Sequence, residues 1–177
     1  IIYVSCDRHK EGVVQQLSIK ENISLSILTT RLKKLFGFIN KTKEIENANE
    51  YFNTLAVRAS SINESVGNLS GGNQQKVVIS KALSALPEVL ILDEPTVGID
   101  IKSREEILSL IDTLTKEQGL SVIYLTNDFN ELLRISDRLL FFDDGKLIDE
   151  RVNDGLTAED VMQIRDIKKE LKEGVLM

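Results

Sequence analysis

A serine and two glycines at the predicted start of a helix constrain this sequence more than any other feature. The run Leu69-Ser70-Gly71-Gly72-Asn73-Gln74-Gln75-Lys76 opens a helical pattern that we expect to continue to about Leu86, where Pro87 stops it. The first turn of a helix carries backbone N–H groups that lack intrahelical partners, at the positive end of the helix dipole. Glycine has no Cβ atom to keep an anion away from that backbone. The pattern therefore predicts a phosphate-binding helix start.

An apolar strand that ends in two carboxylates follows this helix. Val89-Leu90-Ile91-Leu92 has the pattern of a buried strand, and Asp93-Glu94-Pro95-Thr96 comes directly after it. Ligands of open α/β sheets usually bind at the carboxyl ends of strands. One carboxylate there can hold Mg²⁺, and its neighbour can polarise an attacking water. Alone, an Asp-Glu pair would fit a solvated turn equally well, but together with the helix start it predicts an ATP hydrolase divided between two bodies.

The alternation of helical and strand patterns predicts an α/β fold with a largely parallel sheet. Strands are expected at residues 1–5, 89–92, 120–125 and 138–142, and residues 143–146 turn into a last short strand. Helices are expected from about Lys102 to Gln118, where Gly119 ends the helix, and around Phe129, Leu132 and Leu133.

A helical insert interrupts that pattern. Ser18 with Glu21 is a capping-box signature, and its helix is expected to run to about Gly37 with Ile23, Ile27, Leu28, Leu32 and Leu35 on it. A second helix is expected from about Lys41 to Arg58, with Ile45, Ala48, Phe52 and Leu55 on one stripe. We therefore divide the chain into a strand and loop (1–17), a helical subdomain (18–68), an α/β core (69–150) and a tail (151–177). Thr157 and Asp160 are expected to cap a helix in the tail.

Composition excludes several classes of protein. The chain has 177 residues, 42% of them apolar, which is enough for one ordinary domain with a core. The net charge of −6 argues against nucleic acid as the main partner, and no apolar run approaches the roughly 18 residues of a membrane span. The single cysteine, Cys6, excludes an internal disulfide and fits a reducing compartment. We expect Cys6 to be a semi-buried structural residue and His9 to be solvated.

These residues resemble the nucleotide-binding domain of ABC transporters. The runs LSGGNQQK and LILDEPT are similar to those of sugar importers of the ribose and galactose type, in which two cassettes are fused, and the chain resembles the later part of the second cassette. Tyr3–Gly12, Leu17–Asn22, Ile135–Arg138 and Asp144–Lys146 also fit this family. The resemblance implies a P-loop NTPase-like core and an ATPase that uses ATP and Mg²⁺ to drive import. It implies a first cassette, an integral membrane permease and, indirectly, a substrate-binding protein as partners, at the cytoplasmic face of the cell membrane.

The resemblance also implies roles for individual residues. Ser70, Gly71 and Gly72 would contact the γ-phosphate of ATP held on the opposite cassette, with Asn73 in the place that most families fill with Gln. Asp93 would serve Mg²⁺, Glu94 would be the general base, and Asp100 would stand in the loop that crosses the dimer interface. Three residues depart from the family pattern. They are Cys6 in place of Glu or Gln in the permease-sensing loop, Asn127 in place of the switch histidine, and Val97 in place of a common Arg.

No Gly-x-x-x-x-Gly-Lys-Ser/Thr run occurs in the sequence, so the resemblance implies a core without its first strand and phosphate loop. We therefore expect a fragment or truncated product that by itself neither binds ATP tightly nor hydrolyses it. The loop Cys6–Gly12 and the helical insert, including Leu17, Phe36 and Phe38, are expected to form the docking surface for the permease.

Three other interpretations remain. A soluble ABC-type protein of ribosomes or chromosomes is disfavoured, because the insert is too short for a coiled-coil arm and no basic linker is present. A cassette remnant that docks without hydrolysing ATP is supported by the missing phosphate loop, Cys6 and Asn127. Nucleoside importers carry closely similar cassettes, so the transported molecule stays open.

Overall fold

The computed structural model describes residues 1–33 and 38–164. The chain divides into two compact units, residues 1–125 and residues 126–177, which are considered separately. Leu35, Phe36 and Gly37 of the helical insert fall outside the described residues, as do Ile167 and Leu171, which the apolar pattern places on the predicted tail helix. In the described ranges, no helix combines the length and the apolar character needed to cross a membrane.

The first unit alternates helices and strands, as the sequence predicts. In chain order it contains β1 (Ile2–Val4), a π-helical turn (Arg8–Gly12), α1 (Ile19–Ser24), a 3₁₀ turn (Leu25–Ile27), α2 (Lys41–Thr54), a 3₁₀ turn (Val66–Asn68), α3 (Gly71–Ser84), β2 (Val89–Asp93), α4 (Ile101–Gln118) and β3 (Ser121–Leu125). The loop expected after β1 is thus partly helical, and Asp7 caps its turn by accepting a hydrogen bond from the Lys10 N–H at 3.1 Å.

The three strands form a parallel sheet in the order β1-β2-β3, which confirms the parallel arrangement predicted for this part of the chain. Val4 pairs with Leu92, and Asp93 pairs with Leu125, so β1, β2 and β3 end at the same edge. Val4, Leu90 and Leu92 are buried, whereas Tyr3 is 56% exposed. The apolar residues at positions 1–5 predict a buried strand, but only one face of β1 is covered.

Helix α3 is the central element of the first unit. It contacts α1, α2, α4 and β1, and every residue from Gly72 to Ser84 except Asn73 and Lys81 is buried. The helix ends at Ser84, two residues before the predicted end at Leu86. The helical pattern also predicts that Leu86 faces inward, but it is 64% exposed. Leu86 has a φ of +53°, and its N–H donates to the Leu83 carbonyl oxygen at 2.8 Å. This left-handed residue stops the helix before Pro87 is reached.

Helix α1 begins with the predicted capping box but is shorter than predicted. Ser18 Oγ accepts from the Glu21 N–H, and the Glu21 carboxylate accepts from the Ser18 N–H at 2.8 Å. After Ser24 the chain turns into the 3₁₀ segment, where Ser26 Oγ donates to the Lys81 carbonyl oxygen at 2.6 Å. The chain after Ser24 therefore bonds to α3 instead of continuing as an α-helix.

The predicted stripe of helix α2 is confirmed in part, because Ala48 and Leu55 are buried as expected. Glu44, Asn47, Ala48 and Tyr51 are buried, whereas Ile45 is 43% exposed. The Tyr51 hydroxyl donates to the Leu83 carbonyl oxygen at 3.0 Å, which fixes the face of α2 that meets α3. Burial of the ring raises the pKa of Tyr51.

The second unit contains α5 (Phe129–Ile135), β4 (Arg138–Asp143), β5 (Lys146–Val152) and the helical residues 158–164. Strands β4 and β5 form an antiparallel hairpin, whereas the prediction had residues 138–142 in the parallel sheet. Asp144 and Gly145 both have positive φ (+49° and +72°), the turn geometry that joins antiparallel strands. Thr157 and Asp160 form the predicted cap, with the Thr157 N–H donating to Asp160 Oδ2 at 2.8 Å.

Candidate functional site

The side chains of Ser70 and Asn73 bond to each other at the start of α3 and do not cap the backbone N–H groups of its first turn. Ser70 is the N-cap residue, but its side chain makes no cap hydrogen bond within the described part of the chain. Its Oγ instead accepts a hydrogen bond from Asn73 Nδ2 at 2.9 Å. The first intrahelical bond runs from the Gln74 N–H to the Ser70 carbonyl oxygen at 2.9 Å. The three N–H groups before it lack intrahelical acceptors and suit an anion.

The two glycines allow close packing around this turn. A Cβ atom on Gly71 would lie 2.9 Å from Arg8 Nη2 and 3.3 Å from the Gly98 carbonyl oxygen. A Cβ atom on Gly72 would overlap the Ser103 side chain at closer than 3.0 Å. Sequence reasoning explained these glycines by the approach of an anion, but here the space beside them is occupied by protein. Their absent Cβ atoms let α3 approach Arg8 and the start of α4.

Asp100 caps the helix that packs beside this turn. It is the N-cap of α4, and its carboxylate accepts from the Ser103 N–H at 2.9 Å and from Ser103 Oγ at 2.7 Å. These hydrogen bonds hold the pKa of Asp100 below its ordinary value. Because Ser103 also touches Gly72, the structure brings Asp100 next to the helix start, as required of a residue acting together with Ser70.

Arg8 connects the loop after β1 to the segment that precedes Asp100. The sequence indicated no role for Arg8. Its Nη1 donates to the Val97 carbonyl oxygen at 2.9 Å, and its Nη2 donates to the Gly98 carbonyl oxygen at 3.1 Å. Lys81 of α3 donates to the Gly12 carbonyl oxygen, and burial lowers the pKa of Lys81. These contacts join residues up to 90 positions apart, which no local sequence signal could have indicated.

Asp93 lies at the carboxyl edge of the sheet. It is the last residue of β2, and its Oδ2 accepts a hydrogen bond from the Tyr3 hydroxyl at 2.7 Å. This bond to the carboxylate, together with its charge, raises the pKa of Tyr3. The second carboxylate oxygen, Oδ1, has no hydrogen-bond partner among the described residues, so Asp93 retains one oxygen for a ligand.

Glu94 has a strained backbone directly after the strand. Its φ is +45°, a left-handed value that is uncommon outside glycine. The Glu94 N–H donates to the Leu125 carbonyl oxygen at 2.9 Å, which extends the pairing of β2 with β3 by one residue. Strain of this kind persists only where its surroundings enforce it, and it concentrates at functional sites.

Cys6 and Asn127 are two further predicted site residues. Cys6 is exposed, so the expectation of a semi-buried structural cysteine is wrong; the loop turns at Asp7 and leaves the thiol on the surface. Asn127 is exposed and belongs to the second unit, just before Asp128, which caps α5. The assignment of Asn127 to the nucleotide site stays a prediction.

An ion-pair network that sequence reasoning missed joins α3 to α4. Lys76 Nζ lies 2.9 Å from Glu106 Oε2 and donates to the Ala56 carbonyl oxygen at 3.1 Å. The Lys76 side chain is only 5% exposed, and Arg58 pairs with the other Glu106 oxygen. These cations hold the pKa of Glu106 below its ordinary value. The lysine that ends the LSGGNQQK run is therefore committed to a structural ion pair.

The single carboxylate at the sheet edge suits Mg²⁺, which takes few protein ligands, better than it suits a metal bound entirely by protein side chains. Over the described residues, no group of three or more His, Cys, Asp or Glu side chains is placed to hold a metal ion. Mg²⁺ is usually bound by one or two carboxylates and completes its coordination with substrate phosphates and water. A single carboxylate with one available oxygen, as at Asp93, matches that pattern.

The comparison with known families agrees with this arrangement. Residues 3–97, which are more than half of the chain and include the signature run and the Asp93-Glu94 pair, match the ABC transporter family. The chain belongs to the ABC transporter family.

Relatives of this ABC chain include import ATP-binding proteins for ribose and xylose. It is 40% identical over 167 residues to the ribose import ATP-binding protein RbsA 2 of Agrobacterium fabrum, covering 94% of the chain and 33% of the relative. It is 39% identical over 163 residues to the xylose import ATP-binding protein XylG of Moorella thermoacetica, covering 92% of the chain and 31% of the relative. The chain thus spans about a third of the length of these relatives.

Solved ABC cassettes share the fold. The dimeric post-hydrolysis structure of the ATP-binding cassette MJ0796 bound to ADP and Pi matches with a TM-score of 0.71 and 27% identity. A second dimeric structure of MJ0796, a bacterial ABC transporter cassette, matches with a TM-score of 0.71 and 28% identity. Each match covers 87% of this chain and 63% of the cassette, which confirms the α/β ABC ATPase fold expected from the sequence.

Proposed function

We propose that this chain is part of the ATP-binding subunit of an ABC importer, which couples ATP hydrolysis to the uptake of a monosaccharide. The names of its relatives support the substrate class, since they import ribose and xylose. The observation that carries the proposal is the start of α3, where an exposed Ser70 and the first-turn N–H groups, which have no intrahelical partners, lie beside the Asp100 loop. In this function the polypeptide works at the cytoplasmic face of the membrane.

The start of α3 acts on ATP held by a first cassette. Ser70, Gly71 and Gly72 present hydrogen-bond donors at the positive end of the helix dipole. Such donors stabilise negative charge that develops on the γ-phosphate more strongly than they stabilise bound ATP. Their main contribution is therefore to the rate of hydrolysis, with Asp100 supporting the same edge of the site.

The carboxylates at the end of β2 act on the nucleotide of this chain's own cassette. Asp93 would hold Mg²⁺ through Oδ1 while Tyr3 fixes the orientation of Oδ2. Bound Mg²⁺ would neutralise phosphate charge. Glu94, placed by the left-handed turn after β2, would accept the proton of the attacking water.

Force reaches the membrane through the loop Cys6–Gly12 and the helical subdomain. Arg8 and Lys81 link this loop to the Asp100 segment and to α3, so a movement of the loop would be passed to the helix start. Phe38, which is 71% exposed, lies on the surface proposed to contact the permease. A substrate-binding protein takes part only indirectly, by delivering the sugar to the permease.

Replacing Ser70 tests the central claim. In the complete polypeptide assembled with its permease, Ser70→Arg is expected to impair hydrolysis at the first cassette's nucleotide and to leave the ATP affinity of that cassette largely intact. Site-resolved ATPase and nucleotide-binding measurements provide the two values. An unchanged transport ATPase rate would refute the assignment.

Cys6 and Asn127 favour a second possibility, a cassette that docks without hydrolysing ATP at its own site. Both stand where the family carries residues that support hydrolysis. Glu94→Gln separates the two functions: a loss of turnover at this cassette supports hydrolysis there. If turnover is the same with and without the substitution, this cassette does not hydrolyse ATP.

A further inference from the structure

The side chain of Asn73 has only one possible orientation. The Arg58 backbone N–H donates to it at 2.7 Å, and a backbone N–H cannot accept a hydrogen bond. The atom facing Arg58 must therefore be the amide oxygen, Oδ1. The amide nitrogen is consequently directed at Ser70 Oγ, 2.9 Å away.

This orientation determines the role of the Ser70 hydroxyl. Because Asn73 Nδ2 can only donate, Ser70 Oγ must accept, and its own proton points elsewhere. Among the described residues no acceptor takes that proton, and Ser70 is exposed. An N-cap serine usually accepts from a backbone N–H of the first turn, but here the Asn73 amide takes that place. Both the hydroxyl proton and the first-turn N–H groups therefore stay available to an outside acceptor.

We propose that Asn73 is a positioning residue that keeps Ser70 as a hydrogen-bond donor to the γ-phosphate. This inference rests on the proposed function of Ser70 and deepens it. The relay runs from the Arg58 N–H to Asn73 Oδ1, and from Asn73 Nδ2 to Ser70 Oγ. Both polar ends of Asn73 are bonded to protein, which holds the side chain in the orientation that the relay requires.

The substitution Asn73→Asp reverses the last bond of this relay. An aspartate has the same shape and still accepts from the Arg58 N–H, but its second oxygen can only accept. The Ser70 hydroxyl would then turn its proton inward to the carboxylate and lose its function as a donor to phosphate. A carboxylate in the first turn of a helix favours the helix, so the variant is expected to fold.

The test compares Asn73→Asp, Ser70→Ala and the double variant in the complete polypeptide assembled with its permease. Hydrolysis at the opposed nucleotide is expected to fall by about 10- to 100-fold in each single variant, the range for one hydrogen bond to a charged group. The double variant is expected to be no slower than Ser70→Ala. ATP affinity, measured separately, is expected to change by less than about threefold, because the lost bond acts in the transition state.

Each other outcome is decisive. If Ser70→Ala leaves hydrolysis unchanged, the proposed function of Ser70 is refuted and the relay with it. If Ser70→Ala is slow but Asn73→Asp is as fast as wild type, the relay alone is wrong. If Asn73→Asp slows hydrolysis as much in the Ser70→Ala background as in wild type, the added charge acts through space and the relay is again wrong. Asn68→Asp, an exposed change of the same charge before the helix, is the matched control and is expected to behave as wild type.

Discussion

Gly72→Ala is expected to destabilise the first unit although it adds only one methyl group to a good helix position. The new Cβ atom would overlap Ser103 Oγ and Cβ, and the Ser103 Cβ is attached to the backbone of α4, so rotation of the side chain cannot move it away. Overpacking of this kind costs about 1–3 kcal/mol. Displacing Ser103 also weakens its bonds to Asp100, at about 0.5–1.5 kcal/mol. The better helix propensity of alanine offsets about 1 kcal/mol of this, so we expect a net loss of about 0.5–3.5 kcal/mol.

Gly71→Ala is the matched control for this prediction. Its Cβ atom would meet the far end of the Arg8 side chain at 2.9 Å and the Gly98 carbonyl oxygen at 3.3 Å, which are looser contacts than those at Gly72, so a smaller loss than for Gly72→Ala is expected. Urea denaturation followed by circular dichroism gives both free energies of unfolding. Ser103→Gly in the Gly72→Ala background should recover part of the loss, because it removes both overlapping atoms. Equal stability of the two alanine variants, or no recovery in the double variant, would refute the packing argument.

Three further predictions concern charges and hydrogen bonds. Lys76→Met should lower the free energy of unfolding, measured by urea denaturation, by about 2–3 kcal/mol, because it leaves Glu106 partly buried with one cation fewer. Lys116→Met, which breaks an exposed pair, should lower it by less than about 0.5 kcal/mol. Equal losses in the two variants would contradict this prediction. Because the pKa of Glu106 is lowered in the folded state, its ionised carboxylate stabilises the fold fully above the ordinary pKa of about 4.3, and this stabilisation is lost as the pH falls through the folded-state pKa. Glu106→Gln should therefore make the free energy of unfolding depend less on pH on the acid side. An unaltered pH dependence would count against the ion-pair network. Asp93→Asn should bring the pKa of Tyr3 down toward its ordinary value in a ¹³C-tyrosine NMR titration, and an unshifted Tyr3 would show that the carboxylate is not the cause.

Features that depend on neighbouring residues were predictable from the sequence. The capping boxes at Ser18 and Thr157 formed as expected, because each joins atoms only three residues apart. The start of α3, the strand before Asp93 and the end of α4 at Gly119 were also correctly predicted. Each follows from a local preference: a cap, an apolar run, or a left-handed glycine with a φ of +66°.

The errors arose where tertiary contacts overruled those preferences. Helix α1 stops at Ser24 because the chain beyond it is bonded to the end of α3, and α2 leaves Ile45 exposed because Tyr51 is anchored to Leu83. The apolar pattern along a helix shows that one face is covered, but the position of the neighbouring helix decides which face.

For the candidate site, the sequence by itself determined which groups are present: Ser70 at a helix start, and Asp93 and Glu94 at the end of an apolar strand. Only the tertiary structure decided what those groups touch. The close approach of Gly72 to Ser103 and the bonds of Arg8 to residues 89 and 90 positions away depend on how the helices and strands pack. Capping and strand formation act within a few residues, whereas the geometry of a site built from distant segments is set by packing, which no local pattern encodes.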